Sequence, residues 1–470
     1  MTTPDELLTH IASYVCSKNG FSEKALESAR YCLMDTLGCG ILASRNPECM
    51  RLVGPLVPVA GLPGGARVPG TGYELDPVQA AFCIGTMNRW LDFNDAWAGA
   101  EWGHPSDNLG GILAVADYLS RTAANSGNRT LTIRDVLLAL IKAYEIQGVI
   151  ALKNSFNRLG FDHVALIRIA TSAVVTDILG GSSTQVVNAV SNAFLDGLTL
   201  RTYRANTGTR KNWAAGDATS RGVRLALMSL AGEMGYPSAL SEPGWGFQDV
   251  FLGGVPLSIE RPFGEFVVNN IVFKVPFPAE GHALTACEAA VRLHPKVQER
   301  LEDVSRVVIE TQESAMRIID KTGTLKNPAD RDHCLQYMVA VALIKGDLRY
   351  EYYEDDAARD PRIDVLREKM EVSENSQFTR DYQDEGKRSV ANAVQVYFDN
   401  GERTERVEIE YPPGHPRRRS EGTALVLEKF DRNVGSTLPP RTCGRLVDLF
   451  SRPDQLDDMP VSEFMGFLVV

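Results

Sequence analysis

Residues 392–411 read NAVQVYFDNGERTERVEIEY. Val394, Val396 and Phe398 alternate with other residues, Asn400-Gly401 intervenes, and Val407, Ile409 and Tyr411 alternate again. Two runs of period two joined by Asn-Gly mark a β-hairpin, because both turn residues tolerate positive φ. This stretch decides the fold class, since most of the chain before it carries a helical period. Val307, Ile309 and Thr311 alternate in the same way, so strands are expected in a smaller α/β domain at about 266–412.

Outward from that hairpin the pattern is helical. Thr132-Ile-Arg-Asp135 has capping-box form, and Val136, Leu137, Leu140, Ile141 and Tyr144 follow at helical spacing. Ser182-Ser-Thr-Gln185 predicts a second helix running toward Leu200. A third is predicted over Thr219 to Met234, stopped by Gly235-Tyr236-Pro237. Stretches such as Gly54 to Gly72 are loops between helices. At 470 residues the chain is too long for one compact core. The expected fold is mainly α with a second α/β (α+β) domain. A large all-helical domain covers 1–265, a smaller mixed domain covers 266–412, and a helical segment at 413–470 packs back on the first.

Composition narrows the function. The chain is 44% hydrophobic and 23% charged, which fits a folded enzyme rather than a disordered segment. A formal charge of −11 disfavours nucleic acid and anionic membrane surfaces. No apolar run is long enough for a membrane span. The start, with Asp5 and Glu6, reads as a capped helix rather than a signal or transit peptide, so a cytoplasm-like compartment is expected, with the mitochondrial matrix as the eukaryotic alternative. The eight cysteines are scattered without ligand or CxxC spacing, so they are read as small buried residues, with no disulfide framework, zinc site or iron–sulfur cluster.

Three stretches carry chemistry. In Asn88-Arg-Trp-Leu-Asp-Phe-Asn-Asp95, Asp92 and Asp95 would share a helix face, and His104 precedes Pro105-Ser106 at the expected start of a helix from Leu109 to Leu119. Helix starts seat carboxylates well. The alternative is that Asp95 and Asp107 cap helices and His104 is a loop histidine. The second stretch, 201–221, gathers Arg201, Arg204, Arg210, Lys211 and Arg221 against one acid, Asp217. Such a cluster in an acidic protein suits an anionic substrate, since arginine grips carboxylates bidentately. Residues 206–209 point to a loop, and a surface patch paired with acids is the competing reading. The third group is His163, His282 and His333, each beside acidic or prolyl loop signals and each suited to proton transfer. No metal-ligand histidine spacing, nucleophile elbow or nucleotide loop occurs.

The segments LDFNDAWAGAEWGHPSDNLGGILA, RKNWAAGDATSRGVRLALMSLAGEMGYP, GWGFQDV and NPADRDHCLQYM resemble the MmgE/PrpD family, and within it the 2-methylcitrate dehydratase branch, in order and over nearly the whole chain. The resemblance implies a homodimer, an active site between the domains, and cofactor-free dehydration of 2-methylcitrate, citrate or a longer alkylcitrate. It assigns Asp92, His104, His163, Lys211 and His282 to catalysis. Arg204, Asn206, Arg210, Arg221 and Gly281 are expected to contact the tricarboxylate. Decarboxylation of a cis-aconitate-type acid and a non-catalytic tricarboxylate-binding paralogue are the rival readings. Two departures from the branch stand out, a short loop before Asn206 and a glycine, Gly281, where an aromatic residue is usual. The missing ring could enlarge the pocket for a longer alkyl group, unless neighbouring bulk fills the gap.

Overall fold

A computed structural model describes residues 3–18, 20–126, 130–202 and 208–470, and the chain is 57% helical and 8% strand. The mixed class read from the sequence is the observed one. Four strands form the main sheet: β3 (Val304–Thr311), β4 (Met370–Glu374), β5 (Asn392–Phe398) and β6 (Val407–Ile409), in the order β4-β3-β5-β6. β4 runs parallel to β3, while β5 and β6 are antiparallel to their neighbours. A separate two-residue ribbon, β1 (Ala66–Arg67) and β2 (Glu74–Leu75), lies among the helices.

The hairpin at 392–411 is present, with a turn that differs from the expected one. Gly401 alone takes positive φ, at 84°, while Asn400 does not. The Gly401 N–H donates to the Phe398 carbonyl at 3.0 Å and the Phe398 N–H donates to the Glu402 carbonyl at 2.9 Å. This is the longer hairpin connection, a turn closed by a left-handed glycine. The sheet buries Val307, Ile309, Val394 and Val396 against the helices Leu284–Val297 and Leu335–Lys345, forming a core of its own.

A second core lies among the helices up to residue 275 and draws in Val426, Phe430, Leu446, Phe464 and Met465 from the last helices. Three of its helices, Pro77–Trp90, Leu109–Ser126 and Arg210–Leu230, cross at almost backbone contact. A Cβ on Gly216 would stand 2.5 Å from the Phe82 carbonyl oxygen, and one on Gly110 would stand 2.8 Å from the Gly85 nitrogen. Glycine is required at such crossings because any side chain would force the axes apart. The predicted capping boxes at Thr132 and Ser182 are both formed. The helix opened by Ser182 ends at Leu195, short of Leu200. The helix expected from Thr219 starts instead at Arg210 and ends at Leu230. Seven of the eight cysteines are buried and Cys16 is partly so. No helix among the described residues is long and apolar enough to cross a membrane.

Candidate active site

The helix Pro77–Trp90 stops two residues before Asp92, so Asp92 and Asp95 do not share a helical face as the spacing suggested. Asp92 sits instead in the left-handed region at φ 48°, uncommon for a residue with a side chain. Lys274 holds this turn. Its Nζ donates to the Asp92 carbonyl at 2.8 Å and pairs with Oδ1 at 2.9 Å. Arg89, in the last turn of the preceding helix, pairs with the same oxygen. The Asp92 carboxyl is buried, which alone would raise its pKa, yet Arg89, Lys274, Lys211 and His333 hold it well below the usual carboxylate range.

His104 lies across from Asp92, with Nε2 3.6 Å from Oδ1. Its Nδ1 donates to the Asp95 carbonyl at 2.7 Å, which fixes the proton on Nδ1 and leaves Nε2 as the basic nitrogen. Burial, followed by Arg89 and Lys274, pushes its pKa well below the ordinary histidine value. Asp95 is itself anchored by Tyr144 at 2.6 Å and Ser106 at 2.7 Å, and burial raises its carboxyl to about 7. Asp95 therefore supports His104 through its backbone and does not face the cavity, in keeping with a structural role.

His163 caps the helix Val164–Ile178 and places its ring 5.7 Å from that of His104, centroid to centroid. Asp162 takes its Nδ1 at 3.0 Å. Its Nε2 is buried and has no hydrogen-bond partner among the described residues. Lys211, second in its helix and 6% exposed, pairs with Asp332 at 2.9 Å. Asp332 also takes Nδ1 of His333 at 2.7 Å, and the opposite nitrogen of that ring lies 4.0 Å from Asp92 Oδ2. Burial and Lys211 lower the His333 pKa.

Arg89, Asp92, His104, His163, Lys211 and His333 line one cavity, together with Ala100, Trp102, Asn157, Arg201, Glu280, Ser314, Arg317, Ile318 and Tyr382. Its walls come from both cores, and its lining sets four cations (Arg89, Arg201, Lys211, Arg317) against two carboxylates (Asp92, Glu280). In a chain of net charge −11, that local excess is fitted to a polyanionic ligand. Among the described residues no group of three or more His, Cys, Asp or Glu side chains is arranged to hold a metal ion.

Sequence models of the MmgE/PrpD N-terminal and C-terminal domains match residues 9–260 and 277–450. The chain belongs to the MmgE/PrpD family. It is 53% identical to the 2-methylcitrate dehydratase of Escherichia coli (strain K12) and 51% identical to that of Cupriavidus necator, in each case over 99% of this chain and 98% of the relative. It is 49% identical to the mitochondrial 2-methylcitrate dehydratase of Yarrowia lipolytica, over 99% of this chain and 90% of that one.

The structure brings Asp92, His104, His163 and Lys211 together and redistributes the other residues expected at an MmgE/PrpD site. His282 does not line the cavity. It is fully buried behind it, with Nδ1 2.9 Å from Glu280 and Nε2 3.2 Å from the Tyr382 hydroxyl, and Tyr382 reaches the cavity in its place. Burial would raise the Glu280 carboxyl, but His282 brings it down to about 2. Arg210 is exposed and stacks over Trp213 at 4.6 Å, and Arg221, 53% exposed, pairs with Asp217 one turn away. Both lie on the exposed face of the helix Arg210–Leu230, and neither lines this cavity. Arg204 and Asn206 lie outside the described residues. Gly281 opens no extra space, because a Cβ there would fall inside the Trp102 indole, 2.5 Å from Cε2.

The sequence reading missed Arg89, Lys274, Arg317, Tyr382 and the role of His333. Arg317 extends from the helix Glu313–Ile319 to Asn157 and Glu313. Its only local signal, a lone arginine between apolar residues, is indistinguishable from a surface charge. Arg89 and Lys274 had a signal in hindsight, being cations beside Asp92 and beside the segment that leads to His282.

Proposed function

We propose that this chain is a 2-methylcitrate dehydratase, a hydro-lyase that removes water from a small tricarboxylate. The observation that carries the reading is the pairing of His104 and His163 in a cavity with an excess of cations. The names of its 49–53% identical relatives point the same way. Dehydration breaks a C–H bond α to a carboxylate and a C–O bond on the adjacent carbon, and forms the double bond between them. His104 takes the proton on Nε2. Ionised Asp92, 3.6 Å away, then stabilises the imidazolium. His163, held by Asp162, faces the departing hydroxyl and gives it a proton so that it leaves as water. Lys211, Arg201 and Arg317 bind carboxylates and absorb the charge that develops on the α-carboxylate.

The chemistry is assigned to side chains alone, without a cofactor, so turnover is expected to survive exhaustive treatment with chelator. The test is the ultraviolet absorbance of the conjugated product acid on addition of 2-methylcitrate. Its appearance supports dehydration. Carbon dioxide release from cis-aconitate without any such absorbance supports the decarboxylase reading instead. A division into 1–265 with 413–470 and 266–412, a homodimer, and a cytoplasmic or matrix location complete the proposal. A division into two units is supported by the two separate cores, although Val267, Val268, Ile271, Phe273 and Val275 pack in the helical one, which favours a boundary nearer 275. The matrix alternative is supported by the printed name of the Yarrowia lipolytica relative.

A further inference from the structure

The cavity lining is uneven. Arg89, Asp92, His104, Lys211 and His333 form one charged group, Arg201, Glu280 and Arg317 add further charge, and Trp102, Ile318 and Ala100 are the apolar members of the lining. Trp102 and Tyr382 flank His282, with ring centroids 4.6 and 5.5 Å away, so the two larger rings form one wall with the buried histidine between them. The helix Glu313–Ile319, which carries Ile318, packs against the Gly281–Ala283 turn next to that wall. Trp102 is wedged onto this turn. Its Cε2 stands 2.5 Å and its Cη2 2.8 Å from where a Cβ of residue 281 would be. Only glycine lets the indole lie there, and the indole occupies the space that a larger cavity would need.

We propose that Trp102 is the chain-length gauge of this site, closing an alkyl subsite formed with Ile318 and Ala100 so that the 2-methyl group fits and longer chains do not. The inference rests on the dehydratase reading and deepens it. A substrate with three carboxylates and one alkyl branch needs cations for the first and one apolar wall for the second. The lining offers one such wall. A rigid aromatic side chain locked by backbone behind it sets a hard limit, because a well-packed neighbour cannot yield by a methylene without strain.

The test compares kcat/KM for 2-methylcitrate, 2-ethylcitrate and 2-butylcitrate in the wild type, Trp102→Phe and Trp102→Ala. The wild type is expected to discriminate against 2-butylcitrate by at least about 10-fold. Trp102→Ala should raise the butyl-to-methyl ratio by about 10-fold or more, and Trp102→Phe by less. Binding of the same three acids by calorimetry reads the same ratio in any variant that has lost turnover. Equal use of all three acids by the wild type would overturn the proposal, as would a ratio unmoved within about twofold in Trp102→Ala, by turnover and by binding. A wild type that binds the acids with the stated length preference but dehydrates none of them would overturn the dehydratase reading and leave the gauge standing.

Discussion

His104 serves as a base only while Nε2 is free of a proton, and its surroundings arrange this in two ways. The hydrogen bond from Nδ1 to the Asp95 carbonyl fixes the tautomer, and burial beside Arg89 and Lys274 keeps the ring neutral. The sign of the pH dependence follows. With its pKa pushed down, His104 stays a base below the ordinary value of about 6.5, so the acid limb of kcat/KM from this group lies under that pH. Lys274→Met removes a cation that lowers the pKa and should move the limb to higher pH. Asp92→Asn removes the anion that raises it and should move the limb to lower pH. Shifts in the same direction would contradict the assignment. His104→Asn and His163→Asn should each cost on the order of 10²–10⁴ in kcat. Asp92, His104 and Lys211 were legible in the sequence because each sits in a segment that resembles the family, and His163 because it follows an acid, Asp162, in a loop. The supporting cations were not, since Lys274 reaches Asp92 across 182 residues and no local pattern encodes such a pairing.

Elements place these residues through the glycine-lined crossings of the helical core. The helix Arg210–Leu230 presents Lys211 in its first turn, and Gly216 seats that helix against Phe82 and Thr86 of the helix that ends beside Asp92. Gly216→Ala should therefore force the two axes apart, destabilise the protein by about 1–3 kcal/mol in chemical denaturation, and reduce kcat by displacing Lys211 from Asp92. Gly435→Ala, at a helix end where a Cβ would meet nothing, is the matched control and should be neutral or stabilising by up to about 1 kcal/mol. Equal effects at the two positions would remove the crossing as the cause. The same geometry explains what the sequence could and could not convey about elements. Period-two runs betrayed β5 and β6, and capping boxes betrayed two helices. β4, reading MEVSE, alternates only at half-buried Met370 and Val372, too short a run to reveal a strand, and it forms through pairing with β3. The helix expected from Thr219 begins at Arg210, because Gly216, Asn212 and the charges at 210–218 weaken a local helical pattern that tertiary packing restores.

At the scale of the whole molecule, the cavity belongs to neither core alone. Lys211 and Asp92 come from the helical side, Asp332 and His333 from the mixed side, and the ion pair Lys211–Asp332 crosses the seam at 2.9 Å. In the MmgE/PrpD C-terminal domain match, residues up to 450 are assigned to the second module, yet Val426, Phe430 and Leu446 pack into the first core. The two units are thus tied by a chain segment as well as by charge. A tricarboxylate spanning Lys211 and Arg317 would add a further tie, binding only when both units are folded and in register. Saturation at 100 times Kd then stabilises the native state by about 2.7 kcal/mol, visible as a rise in Tm. Lys211→Met, on one side of the seam, and Arg317→Met, on the other, should each abolish most of that rise while leaving the ligand-free Tm within a few degrees. If Arg317→Met retained the full ligand-induced shift, the substrate would be held by the helical unit alone, and the mixed unit would serve only to cover it.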